Sequence, residues 1–254
     1  MRSRRIASIA LGTVIAVAVA IGVASSSAMA QPESKVELGA GSGIVFGKGQ
    51  PVTKDFGYIC TLTAVGYDEH GNLVGLTNAH CFTDDQGNKV IGDEVYADKV
   101  EVGTSLHPTE GFDPDFETGV VGHVRHVSKG NITAFPEHGL DYAVIELDEN
   151  KVQPTNTVGE TTVTEIGPPP AAGSLVCKQG RTTGVTCGTM LVNIGFYFTH
   201  TIFELPGDSG SPVTSGTTLV GNQWVAAGST SIMAVLEDMN ARGEIGAGFT
   251  LPTP

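Results

Sequence analysis

Short apolar alternations separated by glycine-bearing turns run through most of the chain, and they limit it to an all-β fold. An apolar side chain at every second residue suits a strand with one buried face and gives no helical stripe. The 34 glycines and few aromatics fit many short strands joined by tight turns. Strands are predicted over residues 60–67, 73–77, 90–96, 120–127, 142–147, 189–199 and 212–224. The first two flank Asp68-Glu69-His70-Gly71-Asn72, whose glycine and asparagine can adopt positive φ, so they form a hairpin. Gly43-Ile44-Val45-Phe46-Gly47 reads as a plain first strand. Between residues 147 and 177 the composition turns to Glu, Asn, Thr and Pro, and Pro168-Pro169-Pro170 cannot continue a sheet ladder. A connection between two β-barrels is expected there. One helix is predicted over residues 231–240, with Ile232, Val235, Leu236 and Met239 on one face and Gly243 closing it.

The first thirty residues carry a different signal. Arg2, Arg4 and Arg5 precede an apolar run over residues 6–23, and Ala28-Met29-Ala30 supplies the small residues of a cleavage site. An export signal over residues 1–30 is expected, and polar Gln31-Pro32-Glu33-Ser34 beyond it favours cleavage over an uncleaved anchor. Removing 30 of the 254 residues leaves 224, enough for an N-terminal barrel over 31–150 and a C-terminal barrel over 151–254. The signal holds three of the fourteen basic residues and no acidic ones, so the remainder sets 11 basic against 27 acidic side chains, a net of −16. Such a surface argues against nucleic acid or an anionic membrane as partner, suits a soluble exported protein, and pulls weakly toward basic substrates. No other stretch is long and apolar enough to span a bilayer, so no membrane insertion is expected once the signal is removed. A monomer is the default. Four cysteines in an oxidising compartment predict two disulfides, with three connectivities open. None of them has C-x-x-C spacing, so zinc is not expected.

Chemistry concentrates in three segments. Leu205-Pro206-Gly207-Asp208-Ser209-Gly210-Ser211-Pro212 flanks a serine with glycines, which makes Ser209 the candidate nucleophile. A serine hydroxyl is weak on its own and needs a histidine base with a carboxylate to orient it. Leu76-Thr77-Asn78-Ala79-His80-Cys81 offers His80 where the hairpin ends, and Leu140-Asp141-Tyr142-Ala143-Val144-Ile145 offers Asp141 at the mouth of a strand. Asp113 and Asp115 are rivals to Asp141, but they lie in a loop rich in Pro and Gly. His123 and His126, three apart on a strand, face opposite sides and make a poor metal pair. His70, His107, His138 and His200 read as turn or surface residues, and Asn131-Ile132-Thr133 is a formal glycosylation sequon.

The chain order His, Asp, Ser belongs to one of the known triad types. Together the segments Thr-Asn-Ala-His-Cys, Asp-Tyr-Ala-Val and Gly-Asp-Ser-Gly-Ser-Pro resemble the chymotrypsin-like serine peptidases. The closest match is the secreted bacterial branch with the streptogrisins and α-lytic protease, over roughly residues 41–243. The resemblance implies two six-stranded antiparallel β-barrels with the active site between them and a short C-terminal helix. It implies a serine endopeptidase acting on protein or peptide substrates through an acyl-enzyme, secreted to the bacterial exterior or cell envelope, with no cofactor or metal. It pairs Cys60 with Cys81 and Cys177 with Cys187, and closing the second loop stabilises by about 3 kcal/mol on chain entropy alone. It assigns the oxyanion donors to the backbone amides of Gly207 and Ser209. It also gives Asp208 an internal cation that replaces the new N-terminal amine of the digestive members. Lys178, directly after Cys177, matches better than Arg181.

The specificity positions depart from the family. Phe203 stands where trypsin-like enzymes carry an aspartate, Glu204 follows it, and Gln223-Trp224-Val225-Ala226 replaces the usual Ser-Gly-Gly. A shallow or blocked pocket is expected, and a catalytically weak or inactive exported binding protein on the same fold is the alternative.

Overall fold

The computed structural model describes residues 34–101, 103, 111–128, 140–225 and 227–253. The export signal, the Asn131 sequon, His107 and His138 lie outside the described residues. Among those residues the strands in chain order are β1 (Val36–Gly39), β2 (Gly43–Phe46), β3 (Tyr58–Thr61), β4 (Ala64–Tyr67), β5 (Leu73–Thr77), β6 (Glu94–Ala97), β7 (Gly122–Val127), β8 (Ala143–Leu147) and β9 (Val152–Thr155). They continue as β10 (Thr157–Val158), β11 (Thr161–Thr162), β12 (Glu165–Ile166), β13 (Leu175–Gly180), β14 (Gly184–Asn193), β15 (Tyr197–His200), β16 (Pro212–Ser215), β17 (Thr218–Val225) and β18 (Gly228–Ser231). A 3-10 turn, His80–Phe82, follows β5, and a helix, α1, spans Ile232–Arg242.

The first sheet runs β3-β2-β6-β7-β8-β5-β4 with every neighbouring pair antiparallel. Its outer strands β3 and β4 are consecutive in the chain with only Leu62-Thr63 between them, so the sheet curls round and brings its two edges toward each other. Strand β8 lies in the middle and is almost wholly apolar because both of its faces are covered. Phe46, Leu62, Phe82, Val95, Val124 and Ile145 fill the interior. In the second sheet, β12-β17-β16-β13-β14-β15-β18, strand β18 also pairs with β17 and closes six strands into a barrel. Val176, Met190, Phe198, Ile202, Val213 and Val220 pack inside it. One closed six-stranded barrel and one curled half-barrel sheet are thus present, consistent with the expected two-barrel fold.

Both sheets belong to one unit, Glu33–Pro254. A further apolar cluster joins Leu76, Tyr142 and Val144 of the first sheet region to Leu219 of the second and to Ile232, Val235 and Met239 of α1. The helix begins after Ser231 and ends at Gly243, whose left-handed φ of 63° lets its amide reach the carbonyls of Met239 and Asn240. This is the predicted C-terminal helix.

The differences are local. Residues 60–67 form two strands because the chain bends at Leu62-Thr63, and 189–199 divide between β14 and β15 around Ile194-Gly195-Phe196. Strand β13 was not predicted, because Lys178 interrupts its apolar pattern. The stretch between residues 147 and 177 is not all loop: β9 to β12 occupy part of it, and β9 pairs in parallel with β1.

Candidate active site

Register brings the first two groups together. Strands β5 and β8 are antiparallel with Thr77 opposite Ala143, so the chain leaving β5 and the chain entering β8 meet at one end of the sheet. His80 stands just beyond the first and Asp141 just before the second. His80 Nδ1 lies 2.7 Å from Asp141 Oδ2, and the His80 amide donates to Asp141 Oδ1 at 3.0 Å. The Cys60–Cys81 disulfide ties the residue after His80 to β3. Asp141 is 2% exposed, whereas the His80 side chain keeps 29% of its surface.

The Asp141 carbonyl is held from two directions. Asn78 Nδ2 and Asn222 Nδ2 both donate to it at 3.0 Å, the first from the chain after β5 and the second from β17 of the other sheet. Both amide oxygens are buried with no partner among the described residues, so each amide is committed to this carbonyl by its donor end. Tyr142, the next residue, is buried, and its hydroxyl bonds Asp238 and Arg242 of α1. Neither Asn78, inside the His80 segment, nor Asn222 carries a sequence signal for this role. A contact between two sheets leaves no local pattern to read.

Ser209 comes from the loop between β15 and β16, and its Oγ lies 2.9 Å from His80 Nε2. The bend between β3 and β4 grips that loop. The Thr61 amide donates to the Ser209 carbonyl at 2.8 Å, Thr61 Oγ1 to the Gly207 carbonyl at 2.8 Å, and Thr63 Oγ1 to the Gly210 carbonyl at 2.7 Å. Gly207 and Gly210 have φ of 98° and 86°. A Cβ on Gly210 would stand 2.2 Å from the Thr61 carbonyl oxygen, so the position excludes any side chain. Among the described residues neither the Gly207 nor the Ser209 amide donates to a protein acceptor. Asp113 and Asp115 are elsewhere: the Asp115 carboxylate takes bonds from Glu117 and Thr118, and Asp113 N donates to Asp98.

Asp208 turns inward. Its carboxylate accepts from the amides of Thr182, Thr183 and Leu205 at 2.9, 3.1 and 3.0 Å and from Thr183 Oγ1 at 2.7 Å. Lys178 Nζ stands 3.2 Å away, and both side chains are fully buried. Burial pushes the Lys178 ammonium down from its ordinary pKa, and the neighbouring Asp208 carboxylate pulls it back up. Arg181 is equally buried, but it pairs with Asp98 at 2.6 Å and reaches the Gly111 carbonyl. Cys177 and Cys187 face one another across β13 and β14 and are bonded.

Beside Ser209 runs a second polar chain. Gln223 pairs by its backbone with the two residues after Ser209, accepting from the Gly210 amide and donating to the Ser211 carbonyl. Its Nε2 donates to Glu204 Oε2 at 3.1 Å, and its Oε1 accepts from Ser229 Oγ at 3.4 Å. Ser229 Oγ in turn is 2.8 Å from Nε2 of His200. His200 is therefore not a surface residue: it is fully buried in β15, where alternation turns it inward with Phe198. Burial holds its pKa down at about 4, and burial followed by the Arg242 charge does the same for His126, whose Nδ1 is 3.1 Å from Arg242 Nη1.

A pH dependence follows. A buried neutral histidine takes up a proton more readily when unfolded, so its contribution to stability is complete above the ordinary value near 6.5 and is lost as pH falls toward 4. Asp93 and Glu204, raised by burial, act in the opposite direction, so a variant is needed to isolate the histidine. The melting temperature is expected to fall between pH 6.5 and 4, and His200→Gln to flatten that fall. An unchanged slope in the variant refutes the assignment.

At the rim, β17 and β18 are joined across residues 226–227, with Val225 opposite Gly228, so this side carries no long loop. Trp224 is 8% exposed and packs edge-on against Tyr197 with ring centres 5.7 Å apart. Among the described residues no cluster of three or more His, Cys, Asp or Glu is placed to hold a metal ion.

Two antiparallel barrels with a serine, a histidine and an aspartate at their junction define the fold of the chymotrypsin-like serine proteases, and the chain has that fold. It matches the structure of protease A from Thermobifida fusca at 19% identity and a TM-score of 0.54, over 81% of this chain and 97% of that one. A Nocardiopsis protease matches at 19% and 0.53 over 80% and 96%, and a chymotrypsin of Cellulomonas bogoriensis at 18% and 0.51 over 86% and 100%. No protein-family model and no curated protein matches the chain.

Proposed function

We propose that the protein is an exported serine endopeptidase that hydrolyses peptide bonds through an acyl-enzyme, with Ser209 as nucleophile, His80 as general base and Asp141 as its orienting carboxylate. The observation that carries this is the unbroken run from Asp141 Oδ2 through both His80 nitrogens to Ser209 Oγ, at 2.7 and 2.9 Å. A carboxylate only accepts, so His80 Nδ1 carries a hydrogen and Nε2 is left to accept the one on Ser209. As Ser209 Oγ bonds to the substrate carbonyl carbon, its proton passes to His80 Nε2, which delivers it to the leaving amine. Water then attacks the acyl-enzyme by the same route.

The amides of Gly207 and Ser209 have no acceptor among the described residues and act as the donors for the oxyanion. Lys178 supplies the counter-charge of Asp208 from within the chain, so the loop carrying these amides forms without a newly cut amino terminus. Residues 1–30 direct export, and residues 31–150 and 151–254 form the two barrel domains, with the protein acting as a monomer. A second reading, an exported binding protein that kept the fold, is favoured by the close succession of β17 and β18, which end and begin at Val225 and Gly228.

Reaction with a fluorophosphonate, read by intact mass, separates the two. One adduct per chain, placed on Ser209 by peptide mapping, is expected. No adduct on folded, disulfide-bonded protein would sink the peptidase proposal.

A further inference from the structure

The chain of hydrogen bonds behind the nucleophile has a direction. The Ile202 amide donates to His200 Nδ1 at 3.2 Å, which fixes the neutral imidazole as the tautomer with its hydrogen on Nε2. Nε2 then donates to Ser229 Oγ, Ser229 Oγ to Gln223 Oε1, and Gln223 Nε2 to Glu204 Oε2. Every member donates toward Glu204, and the series ends on an acceptor. His200, Ser229 and Gln223 are fully buried, so none of them can exchange its partner for water. A buried polar relay of this kind is costly unless satisfied, and this one is satisfied by the Glu204 carboxyl oxygen that accepts from Gln223 at its end.

Glu204 sits where a substrate side chain would arrive. It is five residues before Ser209 in the same loop, and its partner Gln223 bonds the backbone on the far side of Ser209 at Gly210 and Ser211. The loop is folded back on itself because the amide of Leu205 is tied to Asp208. His80, Asp208 and Lys178 all lie within electrostatic reach of the Glu204 carboxyl. Phe203, at the position where trypsin-like enzymes carry an aspartate, is 60% exposed and gives only its carbonyl to Thr186 Oγ1. Adjacent residues of an extended segment face opposite ways, so turning Phe203 outward turns Glu204 inward. The carboxylate is only partly buried, and Oε1 has no protein partner among the described residues.

We infer that Glu204 is the specificity carboxylate of this site, held in place by the His200–Ser229–Gln223 relay, and that it selects substrates with a lysine or arginine side chain before the scissile bond. This rests on the peptidase proposal and adds the substrate class to it. A long flexible cation suits the geometry, because Oε1, without a partner among the described residues, belongs to a carboxylate that is only partly buried beside the Ser209 loop. The acidic surface of the whole chain acts in the same direction.

The test uses aryl phosphonate diesters, which bond covalently to an activated serine, carrying a 4-aminobutyl, a benzyl or a 2-carboxyethyl side chain. Inactivation rates are divided by the rate of a small alkyl fluorophosphonate on the same protein, which cancels any change at Ser209 itself. The parent is expected to react about 10- to 100-fold faster with the aminobutyl reagent than with the benzyl one, the range a charge-assisted hydrogen bond supports. Glu204→Gln should lose most of that ratio, and Glu204→Lys should turn the preference toward the carboxyethyl reagent. A parent that reacts with the fluorophosphonate but does not prefer the amine overturns the specificity and leaves the peptidase proposal standing. Retention of the preference in Glu204→Gln overturns it equally. A parent inert to every reagent overturns both.

Discussion

Ser209→Ala is expected to lower kcat for peptide hydrolysis by about 10⁴- to 10⁶-fold, and His80→Ala by a similar factor. The double variant should be no worse than either single one, because the two side chains act as one unit through the 2.9 Å contact between Oγ and Nε2. Asp141→Asn should cost about 10⁴-fold by a different route. An amide nitrogen facing Nδ1 favours the wrong tautomer and leaves Nε2 holding a hydrogen where it must accept one. Kinetics on one peptide substrate, with each variant's melting temperature as a folding check, separate these effects. Hydrolysis that survives Ser209→Ala in a well-folded variant would place the nucleophile elsewhere.

The largest effect on stability is expected at the buried pair behind the loop. Asp208→Asn leaves the Lys178 ammonium buried without its counter-charge and sets an amide among donors that had converged on a carboxylate. Removing one partner of such a pair costs about 3 to 5 kcal/mol, a fall of roughly 10 °C in the melting midpoint for a chain of this size. Lys178→Met should cost less, since the carboxylate retains the amides of Thr182, Thr183 and Leu205. The double variant should recover part of the loss, because its two uncharged side chains no longer oppose burial. Thermal melts of the three variants measure this, and additive losses in the double variant would show that the two charges do not act as a pair.

What the sequence disclosed followed from local pattern. The Asp68 to Asn72 turn, the helix closed by Gly243 and the extended run after Asp141 each carry their signal within a few residues, and all three are where they were expected. The contacts of His80, Asp141 and Ser209 start from local pattern as well, the first two beside strands and the third between flanking glycines in a loop. Long-range pairing was not legible. Asn78 and Asn222 meet at one carbonyl across 144 positions of sequence, and nothing in either segment points to the other. His200 misled because one histidine among polar residues resembles a surface residue until the strand pairing shows which side faces inward. Lys178 had the opposite difficulty: its charge hid a strand, although the resemblance had already given it a buried partner.

The division of labour between the two sheets bears on safety during export. On the peptidase proposal, His80 and Asp141 come from the first half of the chain and Ser209 from the second, and the grip of Thr61 and Thr63 on the Ser209 loop requires both halves to be closed. A chain threading out amino end first therefore carries a base with no nucleophile. While its second half is still unfolded it can cut neither the machinery that exports it nor its own unfolded siblings. On that proposal the two-part construction serves as a safety catch, set until both halves have folded.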